Sequence, residues 1–318
     1  MKKEEFFEKV FERISAYYGD SADVSAHEVC KNNGLKKYGL CVRKSGSNCA
    51  PTIYLDDLYQ NYMGDENVEA MANAAIGIFN EHLVDKEVDV SFFEDIEKVL
   101  PKICFKLISG ERNAERLQEL PHRMMGDIAV VYMVSLEVAG ESGSVLITNE
   151  HADMWDVSEE DLYEAAMDNT PRLFPAACYS MWEFCAKLAK SGTEDTRIGY
   201  EYECDDEFWA HLPDDGFIVA TNNRKIQGSA VILYPGLLKE VAEKYNSNFY
   251  IIPSSIHETI LLPERFAPGI EDLRSMIREV NNSCVPDEDF LSNSVYYYDR
   301  EDENNVKKVE QASGAMVL

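Results

Sequence analysis

Phe7, Val10, Phe11, Ile14 and Tyr18 recur at helical spacing with charges between them, which predicts an amphipathic helix ended by Gly19. Alternation from Val24 to Cys30 and from Tyr38 to Arg43 predicts two strands, with Lys31-Asn32-Asn33-Gly34 as the turn of a hairpin. An extended stretch, Pro51 to Leu55, leads to two helices, Asp56 to Met63 and Asn67 to Leu83, parted by Gly64. The second carries Met71, Ala75, Ile78 and Phe79 on one side, as a core-facing helix should. A charged connection, Val84 to Val90, and a short helix, Ser91 to Val99, close an N-terminal α+β domain of residues 1–100. Residues 101–318 form the second, larger α+β domain.

That second part opens with a strand, Ile103 to Ile108, and a polar helical stretch, Asn113 to Leu120. A hairpin follows, with Ile128 to Val138 as one strand and Ser144 to Thr148 as the other. Ser158, with Asp161 three residues on, opens a helix to about Asp168, which Thr170, Pro171 and Pro175 stop. Ser180 with Glu183 opens another, through Trp182, Phe184, Cys185 and Leu188 to Gly192. Strands Phe217 to Thr221 and Ser229 to Tyr234 flank Asn222 to Gly228, and Pro235 starts a helix to Tyr245. Phe249 to Ile252 and Thr259 to Leu262 repeat the hairpin, and Ile270 to Val280 is its helix. In a last hairpin, Val295 to Tyr298 with Val306 to Val309, alternation sends Tyr297 to the opposite face from Tyr296 and Tyr298. The expected class is α+β, with antiparallel sheets built from repeated hairpin-helix (ββα) units that share architecture without residue identity.

Several stretches carry a resemblance: Lys31-Asn32-Asn33-Gly34, Pro51-Thr52-Ile53-Tyr54-Leu55, Val90-Ser91-Phe92-Phe93, Asn169-Thr170-Pro171-Arg172-Leu173 and Ile252-Pro253-Ser254-Ser255-Ile256-His257-Glu258. Through them the chain resembles the bacterial domain-of-unknown-function family 5688 over nearly its whole length. From Asp127 onwards, the order of hairpins and helices, with Leu233-Tyr234-Pro235 and Ile252-Pro253-Ser254, is similar to the YtpQ-like proteins. Neither resemblance implies catalytic residues, a substrate or a cofactor.

Charge narrows the function classes. Thirty basic against 58 acidic residues leave a net charge of −28, which repels phosphate backbones and anionic lipid. Ordinary nucleic-acid binding is disfavoured. The chain lacks an apolar run of about 18 residues and an apolar leader of about 7–15, so no membrane span and a cytoplasmic location are expected. Eight cysteines without a C-x-x-C pair fit packed thiols in a reducing compartment, and no Walker or Rossmann glycine pattern is present. No cofactor is expected.

The acidic residues are clustered. Glu141 to Thr170 holds nine of them and Glu201 to Gly216 seven, with no Lys or Arg in either run. A non-enzymatic interaction or regulatory protein, holding a basic protein partner on an acidic surface, is the expectation these runs support. The alternative is a small-ligand binder or hydrolase-like enzyme at the loop Ser254 to Glu258. There Ser254, Ser255, His257 and Glu258 place hydroxyl, imidazole and carboxylate within five residues, between two apolar strands. The same residue types cap tight turns, so a structural role competes. Asn222, Asn223 and Arg224 of the preceding loop are candidate ligand contacts if both loops share one end of a sheet. Glu150, His151 and Asp153 offer a metal-like H-x-D spacing, although a helix entrance explains the same residues and no metal is expected.

Overall fold

The computed structural model describes residues 1–65, 67–84, 87, 89–138, 141–181, 216–302 and 306–309. Its elements form an α+β fold with three antiparallel sheets. The chain divides into two compact units, Met1–Phe92 with Glu137–Ser142, and Phe93–Leu136 with Gly143–Leu318.

In the first unit, α1 (Lys3–Tyr18), α2 (Leu55–Asp65) and α3 (Val68–His82) accompany a three-stranded sheet. Its strands are β1 (Ala22–Cys30), β2 (Lys36–Lys44) and β3 (Thr52–Tyr54), in the order β1-β2-β3. Helix α1 buries Phe6, Val10, Ile14 and Tyr18, a stripe with a repeat of four, against Leu40, Val42, Ala75 and Phe79. Phe7 and Phe11, expected in that core, lie half-buried on its flank instead.

The second unit holds α4 (Ile96–Val99) and, apart from residues 137–142, a sheet of β4 (Ile103–Ser109), β5 (His122–Met125), β6 (Ile128–Val138) and β7 (Glu141–Leu146). Strand β6 pairs with β4, β5 and β7. Helix α5 (Asn149–Trp155) and helix α6 (Glu159–Leu173) follow. Helix α6 packs on the sheet edge at β4: the Phe105 N–H donates to Thr170 Oγ1 (3.1 Å), and Asn169 Nδ2 donates to the carbonyl of Ile103 (3.1 Å). Helix α6 does not stop before Pro171, as the sequence predicts, but runs on to Leu173. These two side-chain bonds to β4 hold the turn that contains the proline.

The larger sheet runs β13-β12-β10-β11-β9-β8. Its strands are β8 (Ala176–Ser180), β9 (Ile218–Asn222), β10 (Phe249–Pro253), β11 (Thr259–Pro263), β12 (Tyr296–Tyr298) and β13 (Val306–Lys308). Helices α7 (Leu237–Tyr245) and α8 (Ile270–Ser283) complete the unit. Tyr296 and Tyr298 are buried while Tyr297 is half-exposed, in keeping with the expected alternation. The expected strand Ser229 to Tyr234 is a 3-10 helix, Gly228–Leu233, and β9 pairs with β8 and β11. Residues 228–232 are all buried, and an apolar run buried on every side has no period by which sequence separates strand from helix. The expected helix Asn113 to Leu120 is reduced to a 3-10 turn, Arg116–Glu119. The helix expected after Ser180 and the acidic run before Gly216 lie outside the described residues.

Candidate functional site

The loop from Ser254 to Glu258 joins β10 to β11, whose register runs from Phe249↔Pro263 to Pro253↔Thr259. It closes on itself. The Ser255 N–H donates to the Glu258 carbonyl (3.2 Å), Ser255 Oγ donates to Glu258 Oε1 (2.8 Å), and the His257 N–H donates to Ser255 Oγ (2.9 Å). This is a hydroxyl-capped turn.

The structure brings the loop after β9 against it. Thr221 Oγ1 donates to the His257 carbonyl (2.7 Å), and Ser229 Oγ donates to that of Ile256 (2.8 Å). Asn222 is buried and shapes its own turn: its Oδ1 accepts the Arg224 N–H (3.1 Å) and its Nδ2 donates to the Ile226 carbonyl (2.9 Å). Asn223 donates its N–H to the Pro175 carbonyl (2.9 Å), and the Arg224 guanidinium lies 4.9 Å from the Phe174 ring centroid. These three residues organise the loop backbone and its edge.

Both nitrogens of His257 are engaged. The Gln227 N–H donates to Nδ1 (3.1 Å), presented by a left-handed backbone at Gln227 (φ +54°), and Nε2 lies 3.1 Å from Asp289 Oδ1. An N–H donated to Nδ1 requires a lone pair there, so the ring carries its hydrogen on Nε2 and gives it to Asp289. Burial works against the charged ring, but Asp289, with Glu258 and Glu288, outweighs it and raises the pKa above that of a free imidazole. The hydroxyl–imidazole pairing that a nucleophile needs is not formed, since Ser255 is bonded to Glu258 and no ring nitrogen is left for it. Nitrogen-15 NMR at about pH 9, where the ring is neutral, is expected to show the Nε2–H tautomer of His257. The Nδ1–H tautomer would contradict this geometry.

The metal-like trio separates in space. His151 completes a capping box, its Nδ1 accepting the Thr148 N–H (3.1 Å), and its ring stacks on Trp155 with centroids 5.7 Å apart. Glu150 and Asp153 are exposed. Among the described residues no group of three or more His, Cys, Asp or Glu side chains is arranged to hold a metal. Burial pushes the thiols of Cys104 and Cys178 up to about 12, which makes them packing groups.

What the structure does expose is a set of carboxylates on α5 and α6. Helix α6 buries Leu162, Ala166, Asn169 and Thr170 and turns Glu160, Asp161, Glu164 and Asp168 to solvent. Helix α5 and its C-cap add Glu150, Asp153 and Asp156, and Met154 of α5 is 49% exposed. Arg123 neutralises only the first turn of α6, through two bonds to Glu159 (2.9 and 2.8 Å) and one to Glu160 (2.8 Å). Those bonds hold Glu159 below the usual carboxylate range against burial. Sequence reasoning missed this arginine, because its position on β5 and the two glutamates meet only in the fold. A groove of about 560 Å³ in the first unit was equally unread; it lies beside the half-buried Phe7 and Phe11.

The profile of DUF5688, a family of unknown function, matches residues 3–300 of this chain. The chain belongs to that family. No curated protein and no solved structure matches it significantly. Nothing in these comparisons extends the likeness to the YtpQ-like proteins. No helix among the described residues is long and apolar enough to cross a membrane.

Proposed function

We propose that the protein is a non-enzymatic interaction protein that holds a basic protein partner on the acidic face of α5 and α6. The observation that carries this reading is the exposure of Glu150, Asp153, Asp156, Glu164 and Asp168 without an ion pair among the described residues. Like charges at i and i+4, such as Glu164 with Asp168, destabilise a helix by roughly 0.2–0.5 kcal/mol a pair. The fold gets no return for that repulsion from its own cations. A basic surface laid over these carboxylates removes it, and the exposed Met154 of α5 supplies an adaptable apolar contact. The loop at Ser254 to Glu258 supports the competing ligand-site reading less well, because the Ser255 hydroxyl is bonded to the Glu258 carboxylate and the His257 ring is held by Gln227 and Asp289.

The double substitution Glu164→Gln/Asp168→Asn is therefore expected to stabilise the free chain by about 0.5 kcal/mol in urea denaturation at low salt, an advantage that salt erases. Loss of stability would assign these carboxylates to the chain's own fold and remove the basis of the reading.

A further inference from the structure

Strand β1 is nine residues long and, among the described residues, pairs only with β2. The phase of that pairing fixes which of its backbone groups are used. The Lys31 N–H donates to the Leu35 carbonyl (2.7 Å), and the register runs from Ala22↔Lys44 to Cys30↔Lys36. Odd-numbered residues therefore bond to β2, and Ala22, Val24, Ala26, Glu28 and Cys30 turn their N–H and C=O groups outward. Among the described residues none of these outward groups is hydrogen-bonded. The edge at β4 is treated differently, since Asn169 and Thr170 of α6 cover its outward groups. Strand β1 contains no Lys, no Pro and no bulge to blunt its edge, and its two acidic residues, Asp23 and Glu28, are ion-paired to Arg43 and Lys36 of β2.

The groove of about 560 Å³ opens beside the same residues. Ala26 and Glu28 form one wall, and Phe7 and Phe11 of α1, half-buried on the helix flank, form the other. Its lysines are already committed: Lys3 to Asp56 (2.6 Å), Lys36 to Glu28 (2.8 Å) and Lys37 to Asp57 (3.2 Å). Glu4 and Glu8, also in the lining, make no ion pair among the described residues. The unbalanced charge of the groove is negative.

We propose that this edge takes an extended segment of a partner protein as a fourth, antiparallel strand, with alternate residues apolar or basic. Main-chain bonds to β1 supply affinity, and the alternate side chains that enter the groove supply selection. Apolar ones meet Phe7 and Phe11; a Lys or Arg lays its stem along the rings and brings its charge to Glu4 or Glu8. A second copy of this chain fits less well, since pairing β1 with itself sets Glu4, Glu8 and Glu28 against their own copies. This surface is independent of the acidic face on α5 and α6.

The test uses the full chain and a labelled peptide, Val-Ser-Lys-Ser-Val-Ser-Lys-Ser-Val, read by fluorescence polarisation at physiological salt. In an antiparallel fourth strand, the residues that bond to β1 are those whose side chains enter the groove. N-methylation of the valine and lysine nitrogens is therefore expected to weaken binding at least about tenfold, and N-methylation of the serines to leave it nearly unchanged. Glu4→Gln/Glu8→Gln in the protein should weaken the unmodified peptide about fivefold, and a peptide with glutamate in place of lysine should not bind. Equal tolerance of both methylation patterns, or full binding by the glutamine variant, overturns the proposal. So does a free chain that sediments as a dimer which the peptide dissociates, because the edge would then be filled by a second copy.

Discussion

Gly228→Ala is expected to destabilise the second unit by about 4 kcal/mol and to release His257 from its fixed tautomer. A Cβ on Gly228 would lie 2.1 Å from Thr221 Oγ1, 2.6 Å from the His257 carbonyl oxygen and 2.7 Å from the Asn222 nitrogen. Two of those three atoms are backbone, held by the ladder of β9 and by the Thr221 bond to His257, so no side-chain rotation relieves the clash. Either the 3-10 helix Gly228–Leu233 moves away or the two loops part. In both cases the Gln227 N–H leaves Nδ1. The measurement is a urea midpoint together with the nitrogen-15 spectrum of His257. A stable variant with an unchanged tautomer would mean that the two loops are not packed as described.

The second large effect is expected at Asp127, in the turn between β5 and β6. Its carboxylate accepts Tyr296 Oη at Oδ1 (2.5 Å), Ser292 Oγ at Oδ2 (2.8 Å) and Ser294 Oγ at Oδ2 (2.9 Å), with Lys308 Nζ 3.4 Å away. Gly126 (φ +63°) makes room for that tyrosine, since a Cβ there would meet its Oη at 2.8 Å. Asp127→Ala strips three buried or half-buried hydroxyls of a charged acceptor, and a loss of about 3 kcal/mol is expected. Burial raises the Asp127 pKa, but Tyr296, Ser292, Ser294 and Lys308 together outweigh it and hold it below its ordinary value of 3.8. A carboxyl whose pKa is lower folded than unfolded contributes stability above the unfolded pKa and loses it as pH falls through the folded one. The gap between wild type and Asp127→Ala should therefore be full at neutral pH and shrink below about pH 4. A gap that grows on acidification would contradict the assignment.

Neither cluster was legible in the sequence, and the reason is distance along the chain. Asp127 and Tyr296 are 169 residues apart, and His257 meets Asp289 across 32 and Gln227 across 30. Period and turn chemistry act locally, so they recovered β1, β2, α3 and the hairpin of β10 and β11. They also located the loop from Ser254 to Glu258, although not the internal bonding that closes it. Where they failed, tertiary burial had overridden the local signal. Residues 228–232 are buried on every side, and Pro171 stays inside α6 because Asn169 and Thr170 are fastened to β4. The missed Phe6 is instructive. Phe6 and Phe7 fit a helical stripe almost equally well, and only packing on Leu40 and Val42 decides that Phe6 fills the core while Phe7 is left to the groove. The acidic face, by contrast, was readable from composition alone, because a run with no Lys or Arg leaves exposed carboxylates no near partner.

The claim that matters most is that the face of α5 and α6 holds a basic partner, and capture from the extract of the protein's own cells tests it directly. Three tagged full-length chains would be compared at low salt: wild type, Glu164→Gln/Asp168→Asn on α6, and Asp272→Asn/Glu279→Gln on the exposed side of α8, which changes net charge equally. The account predicts one or more basic proteins retained by wild type and by the α8 variant, lost from the α6 variant, and released from all by ~0.5 M salt. Equal retention by all three chains, or no retained protein at all, would contradict it.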